Sequence, residues 1–139
     1  MRTVGGTVDF PVAPEAVFDY LVDPANRPEW QSSLRAVTDV VGEPGLGQSW
    51  IDVTVPGLRP AMRTTTYDRP SRWAEAGAWR AVTATLDLTI TPSGAGSAVR
   101  YRFRITGPGP LAPLGLLASA ASVLPVRADL RRAARILAV

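Results

Sequence analysis

Apolar and polar residues alternate with period two over much of this chain, and that pattern predicts a sheet. It is cleanest near the end. Leu86, Leu88 and Ile90 alternate with Thr85, Asp87 and Thr89, and Val99, Tyr101, Phe103 and Ile105 alternate with Arg100, Arg102 and Arg104. Such strands have one wet face and one buried face. Further strands are predicted at Thr3–Phe10, Leu34–Val41, Ser49–Val55, Arg59–Tyr67 and Arg72–Ala76, with the long one running Arg80–Thr91 and the last Val99–Thr106. Gly, Pro or Asp stands at each junction, as at Gly42-Glu43-Pro44-Gly45, Pro56-Gly57, Asp68-Arg69-Pro70, Gly77 and Pro92-Ser93-Gly94-Ala95-Gly96.

Helical spacing interrupts this pattern twice. Pro14 and Glu15 suit a first helical turn, and Val17, Phe18 and Leu21 follow on one side. Asp23-Pro24 ends that helix and caps a second short piece, broken by Pro28 and closing near Trp30. At the end, Val126, Leu130, Ala133 and Leu137 form an apolar stripe, with Arg127, Arg131 and Arg135 on another face. Apolar residues with many small ones run from Leu111 to Leu124, and Pro125 marks a break before the stripe. The expected order is one strand, two short helices, six strands and a long helix. The economical packing is an α+β helix-grip fold, a seven-stranded curved antiparallel sheet wrapped around the C-terminal helix. Residues 1–139 are read as one domain, a length that can bury a core unaided. The space between sheet and helix is filled by side chains or by a ligand.

Composition narrows the chemistry. The chain has no cysteine and no histidine, which removes Ser-His-Asp and Cys-His nucleophilic centres and zinc sites built on those ligands. All 15 basic residues are arginine, so Schiff-base and phosphate-loop lysines are absent too. The net charge of +3 permits an anionic partner without requiring one. Met1-Arg2-Thr3-Val4 has no apolar signal-peptide core, and no apolar run reaches the ~18 residues of a membrane span, so a cytoplasmic protein is expected. No metal and no cofactor are implied.

Several stretches resemble the START/polyketide-cyclase/birch-allergen-like (SRPBCC) superfamily. Val12-Ala13-Pro14-Glu15-Ala16-Val17-Phe18-Asp19-Tyr20-Leu21 and Asp23-Pro24-Ala25-Asn26-Arg27-Pro28-Glu29-Trp30 resemble its opening. Gly45-Leu46-Gly47-Gln48-Ser49-Trp50 is similar to its glycine turn into the third strand, and Tyr67-Asp68-Arg69-Pro70 to its next strand turn. The resemblance covers essentially the whole chain. It implies a helix-grip fold with a cavity between sheet and helix, and a function among lipid and hormone binders, aromatase/cyclases and chaperone co-factors.

Candidate site residues follow from facing. Trp30 falls at the expected cavity mouth, where a core plug is the stronger reading. Arg63, with Thr65 and Tyr67 on its face, points inward if the strand parity implied by the resemblance holds, and outward if Thr64 and Thr66 face in. An inward arginine needs a carboxylate or an anionic ligand, and Asp52 and Glu75 are the nearest partners in strand order. Trp50 and Asp52 share a face opposed by Ile51, Val53 and Val55, and Trp73 shares one with Glu75; the inward side is open for both strands. Leu86, Tyr101 and Phe103 lie on the apolar faces, and Leu117 on the lid formed by Leu111–Val139. The arginine row at 100, 102 and 104 lacks the interleaved aromatics that single-strand binding adds, so a solvated face is preferred to nucleic-acid contact. Membrane-surface docking of Leu114–Leu124 with the following arginines is the weaker reading, and the small residues there leave a homodimer open.

The expected function is binding or transport of a small hydrophobic ligand, lipid or polyketide-like. The alternative is an aromatase/cyclase-type enzyme, with Arg63 anchoring a carbonyl, Tyr67 or Tyr101 donating a proton, and Glu75 or Asp52 as base. A protein-binding module is a third class with no specific sequence support.

Overall fold

The computed structural model describes residues 2–107 and 126–139. Seven strands form one antiparallel sheet: β1 (Arg2–Phe10), β2 (Leu34–Val41), β3 (Ser49–Thr54), β4 (Ala61–Asp68), β5 (Arg72–Trp79), β6 (Val82–Ser93) and β7 (Gly96–Thr106). Their order is β1-β7-β6-β5-β4-β3-β2. β2 to β7 are therefore hairpin neighbours in succession, and β1 closes against β7. β1 and β2 occupy opposite edges, so the chain between them crosses the sheet's whole width. That crossing contains α1 (Pro14–Leu21), a 3-10 turn (Pro24–Asn26) and α2 (Arg27–Trp30). Residues 126–137 are helical and form α3. The molecule is a helix-grip α+β fold, as the alternation predicted.

Local chemistry explains the crossing. Pro14 opens α1, where a missing N–H costs nothing, and Val17, Phe18 and Leu21 are fully buried on one face. Asp23 caps the 3-10 turn by accepting a 3.0 Å hydrogen bond from the Ala25 amide. Pro28 does not break α2; it sits in the first turn, the position a helix tolerates best. The core joins these residues to the inward sheet positions Val8, Phe10, Trp73, Leu88, Ile90, Val99 and Tyr101, and to Leu130 and Ala133 of α3. Each such large side chain contributes about 1.5–3 kcal/mol by leaving water.

The loop expected at Pro92–Gly96 is only Gly94–Ala95, with Ser93 of β6 paired to Gly96 of β7, and two strand expectations beside the cavity also need correction. β5 does not stop at Ala76. It continues through Gly77 to Trp79, and the turn falls at Arg80–Ala81, with Arg80 at φ 55°. Gly77 was read as turn punctuation; on β5 it instead leaves room for the Met62 side chain, whose Sδ would lie 2.5 Å from a Cβ built there. Gly6 serves a similar purpose on β1, where a Cβ would lie 2.8 Å from the Tyr101 hydroxyl. The second correction concerns β4. Its pairing with β5 shifts between Thr64 and Thr66. This bulge adds a residue at Thr65 and breaks the assumed parity. Thr64 faces inward opposite Glu75, and Tyr67 lies opposite the buried Trp73, while Arg63 and Thr65 are exposed.

The lid segment Leu111–Leu124, its break at Pro125 and the candidate contact Leu117 lie outside the described residues.

Candidate functional site

α2 is only one turn long, yet it delivers the most unusual side chain of the molecule. Arg27 and Trp30 stand one turn apart and both point inward, each 2 % exposed. Arg27 reaches the inner face of the sheet between Asp52 on β3 and Glu75 on β5. Its Nε donates to Asp52 Oδ1 at 3.1 Å and its Nη2 to Asp52 Oδ2 at 2.8 Å. Its Nη1 donates to Glu75 Oε1 at 2.8 Å and its Nη2 to Glu75 Oε2 at 3.1 Å. The guanidinium also lies 5.0 Å from the centre of the Trp50 ring, and Trp50 Nε1 donates to Asp52 Oδ1 at 3.0 Å. Two fork-shaped carboxylate contacts and an aromatic face thus hold one cation.

Burial works against the Arg27 charge, but Glu75 and Asp52 outweigh it and hold the guanidinium pKa above its ordinary value. For Glu75 the balance reverses. Burial raises its pKa above the ordinary carboxylate value, Arg27 opposes the rise, and the Asp52 charge adds to it.

The cluster forms part of the wall of a cavity of about 220 Å³. Apolar side chains supply most of the remaining wall, among them Leu34, Met62, Leu86, Phe103, Ile105 and Val126. Asp129 of α3 also lines it. Asp129 is 6 % exposed, and its Oδ1 accepts the Ser32 amide at 3.1 Å and the Ser32 hydroxyl at 2.9 Å. Burial raises the Asp129 pKa, and the two Ser32 donors and Arg132 oppose the rise. The Oδ2 atom has no protein donor among the described residues. No cluster of three or more potential metal ligands occurs among the described residues.

The sequence-predicted residues divide into three groups. Asp52, Glu75, Leu86 and Phe103 line the cavity. Trp30, Trp50, Trp73 and Tyr101 are buried in the core and are not among its lining residues, and half-buried Tyr67 packs edge-on against Phe18 with ring centres 5.1 Å apart. Arg63 and Thr65 face solvent, which overturns the inward reading of both. The cyclase scheme with Arg63 as carbonyl anchor falls with it, and neither Tyr67 nor Tyr101 reaches the cavity wall as a donor. On β3 the open question resolves toward Trp50 and Asp52, and on β5 toward Trp73 and Glu75. Sequence reasoning missed Arg27 and Asp129. The three-residue spacing of Arg27 from Trp30 was a usable signal. For Asp129, one position before the stripe residue Leu130, no pattern marked its contact with Ser32.

Comparison with known proteins agrees with the geometry. A START superfamily protein from Mycobacterium smegmatis superposes with a TM-score of 0.71 at 13 % identity, covering 99 % of both chains. The protein Ara h 8.0201 superposes at 0.66 with 13 % identity, covering 94 % of this chain and 97 % of its own. The di-domain aromatase/cyclase BexL, from the BE-7585A biosynthetic pathway, superposes at 0.74 with 17 % identity, covering 97 % of this chain and 46 % of its own. At these identities the likeness concerns the fold alone. No curated protein sequence matches the chain significantly. The family model described as polyketide cyclase/dehydrase and lipid transport matches residues 1–138, and the chain, with its seven-stranded grip around α3, belongs to that family within the SRPBCC superfamily.

Proposed function

We propose that this protein binds a small, largely apolar molecule between its sheet and α3. The observation that carries this reading is the cavity of about 220 Å³ with predominantly apolar walls. A dry apolar cavity of about 150 Å³ already accepts benzene, so this larger one suits an aromatic molecule of two or three rings, or a short alkyl chain. Polar groups are confined to a few positions, the usual arrangement for orienting a ligand. The family is one of cyclases, dehydrases and lipid-transport proteins, which supports the same reading.

The test is titration with the neutral probe N-phenyl-1-naphthylamine, followed by fluorescence. Saturable one-to-one enhancement is expected, and it should be lost in Ala84→Phe, which fills the cavity wall between Gly77 and Ile105. Enhancement that never saturates, or that survives Ala84→Phe in a folded protein, overturns the reading.

One observation favours a second reading, aromatase/cyclase-type chemistry. Glu75 and Asp129 line the cavity with raised proton affinity, as acid-base groups require. On that reading Glu75→Gln and Asp129→Asn each abolish cyclisation of a poly-β-ketone surrogate while probe binding continues. Absence of turnover by the parent protein rejects it.

A further inference from the structure

Resting on the proposed binding function, we infer that the ligand carries a hydrogen-bond-donating head, a cationic amine above all, and that anionic lipids and carboxylates are rejected. The inference comes from the formal charges that line the cavity. Three carboxylates line it, Asp52, Glu75 and Asp129, and among the described lining residues Arg27 is the one cation. Residues 108–125, the remaining segment before α3, contain no ionisable side chain. Their placement therefore cannot add a side-chain cation to the cavity.

Arg27 also has little left to offer an anion. Four of its five N–H hydrogens, one on Nε, one on Nη1 and two on Nη2, already donate to two carboxylates, and its guanidinium lies against the Trp50 ring. An incoming carboxylate would find one Nη1 hydrogen and the unpartnered Gln31 Nε2 amide, neither of them an uncommitted cation, and a fork-shaped contact with Arg27 would require displacing Asp52 or Glu75 and leaving it buried without a partner, which is costly. Asp129 offers the reverse. Its side chain is nine-tenths buried, both Ser32 donors go to Oδ1, and Oδ2 has no donor among the described residues. Nearby Arg132 is exposed on α3 and does not line the cavity. A donor head at Oδ2 would complete the hydrogen bonding of this carboxylate, and a positive charge there would offset the excess of acids. Size and charge together describe an arylalkylamine or a short alkylamine.

The experiment uses one ring system with four heads: naphthalene, naphthylmethanol, naphthylmethylamine and naphthoate. Each competes with N-phenyl-1-naphthylamine at neutral pH. We expect the amine to bind tightest, the alcohol next, and naphthoate at least about tenfold weaker than the amine, since its charge has the same sign as the acids that line the cavity. Asp129→Asn keeps an Oδ1 acceptor for Ser32 and turns an amide toward the cavity, so the amine-to-alcohol affinity ratio should fall toward one. Glu75→Gln is the second variant and should lower the same ratio without touching Ser32. Naphthoate binding as well as the amine overturns the inference, and so does an unchanged ratio in both folded variants. If no member of the series, naphthalene included, displaces the probe, the binding function itself fails.

Discussion

A guanidinium withdrawn from water must be matched by charge, and Arg27 is matched twice. Removing it would leave Asp52 and Glu75 facing one another in the interior. Arg27→Met should therefore destabilise the fold by about 3–5 kcal/mol in chemical denaturation, despite preserving most of the side chain's length. A loss under ~1 kcal/mol would show that water already reaches the carboxylates. Arg63 gives the contrast. It is exposed on β4 and has no side-chain hydrogen bond or salt bridge among the described residues. Arg63→Ala should change stability by no more than about 0.5 kcal/mol and leave probe affinity unaltered. The sequence named Asp52 and Glu75 as partners for an inward arginine, but the arginine it offered was Arg63, whose facing it left open, and not Arg27. Identifying the partners required only strand order. Identifying the arginine required knowing that a four-residue helix, with Trp30 inward, swings Arg27 beneath the sheet.

At the scale of elements, strand alternation was legible wherever a strand was regular. β7 alternates exposed arginines with buried or half-buried apolar residues from Val99 to Ile105, as the sequence pattern requires. β4 was not legible, because the bulge at Thr65 changes parity without any Gly or Pro to mark it. Gly77 shows a related ambiguity: the same residue can end a strand or make room for a neighbour. Here it admits Met62, and both residues line the cavity. Gly77 does not have a positive φ, so alanine suits its backbone. The added methyl would press on the thioether, a flexible group that can move aside. Gly77→Ala should thus change stability by less than about 1 kcal/mol, with the entropic gain of replacing glycine offsetting the crowding. It should weaken probe binding, because Met62 would turn into the space the probe occupies. Unchanged affinity with an unchanged melting temperature would mean that Met62 had moved elsewhere.

Across the whole molecule, the acids that line the cavity also make folding depend on pH. Glu75 and Asp129 both have folded-state pKa values raised by burial. The folded state therefore holds their protons more tightly than the unfolded chain does. The stability this confers is complete below the ordinary carboxylate range, near pH ~4, and is lost as pH rises through the folded values. Asp19 works in the opposite direction. Its hydrogen bond to Arg69 lowers its pKa, so its contribution disappears on acidification, but that pair is half exposed and worth little. These opposing shifts predict a melting temperature that is higher in mild acid than at pH 8, with the slope carried by the two buried carboxyls. Glu75→Gln and Asp129→Asn should each flatten that slope, and the double variant should nearly remove it. Ligand binding should act on the same quantity. An amine bound beside these acids favours their ionised forms, so naphthylmethylamine should raise the melting temperature more at pH 8 than at pH 5, whereas neutral naphthylmethanol should raise it about equally at both. Equal shifts for both ligands across that range would show that the acids shape stability without selecting what the cavity holds.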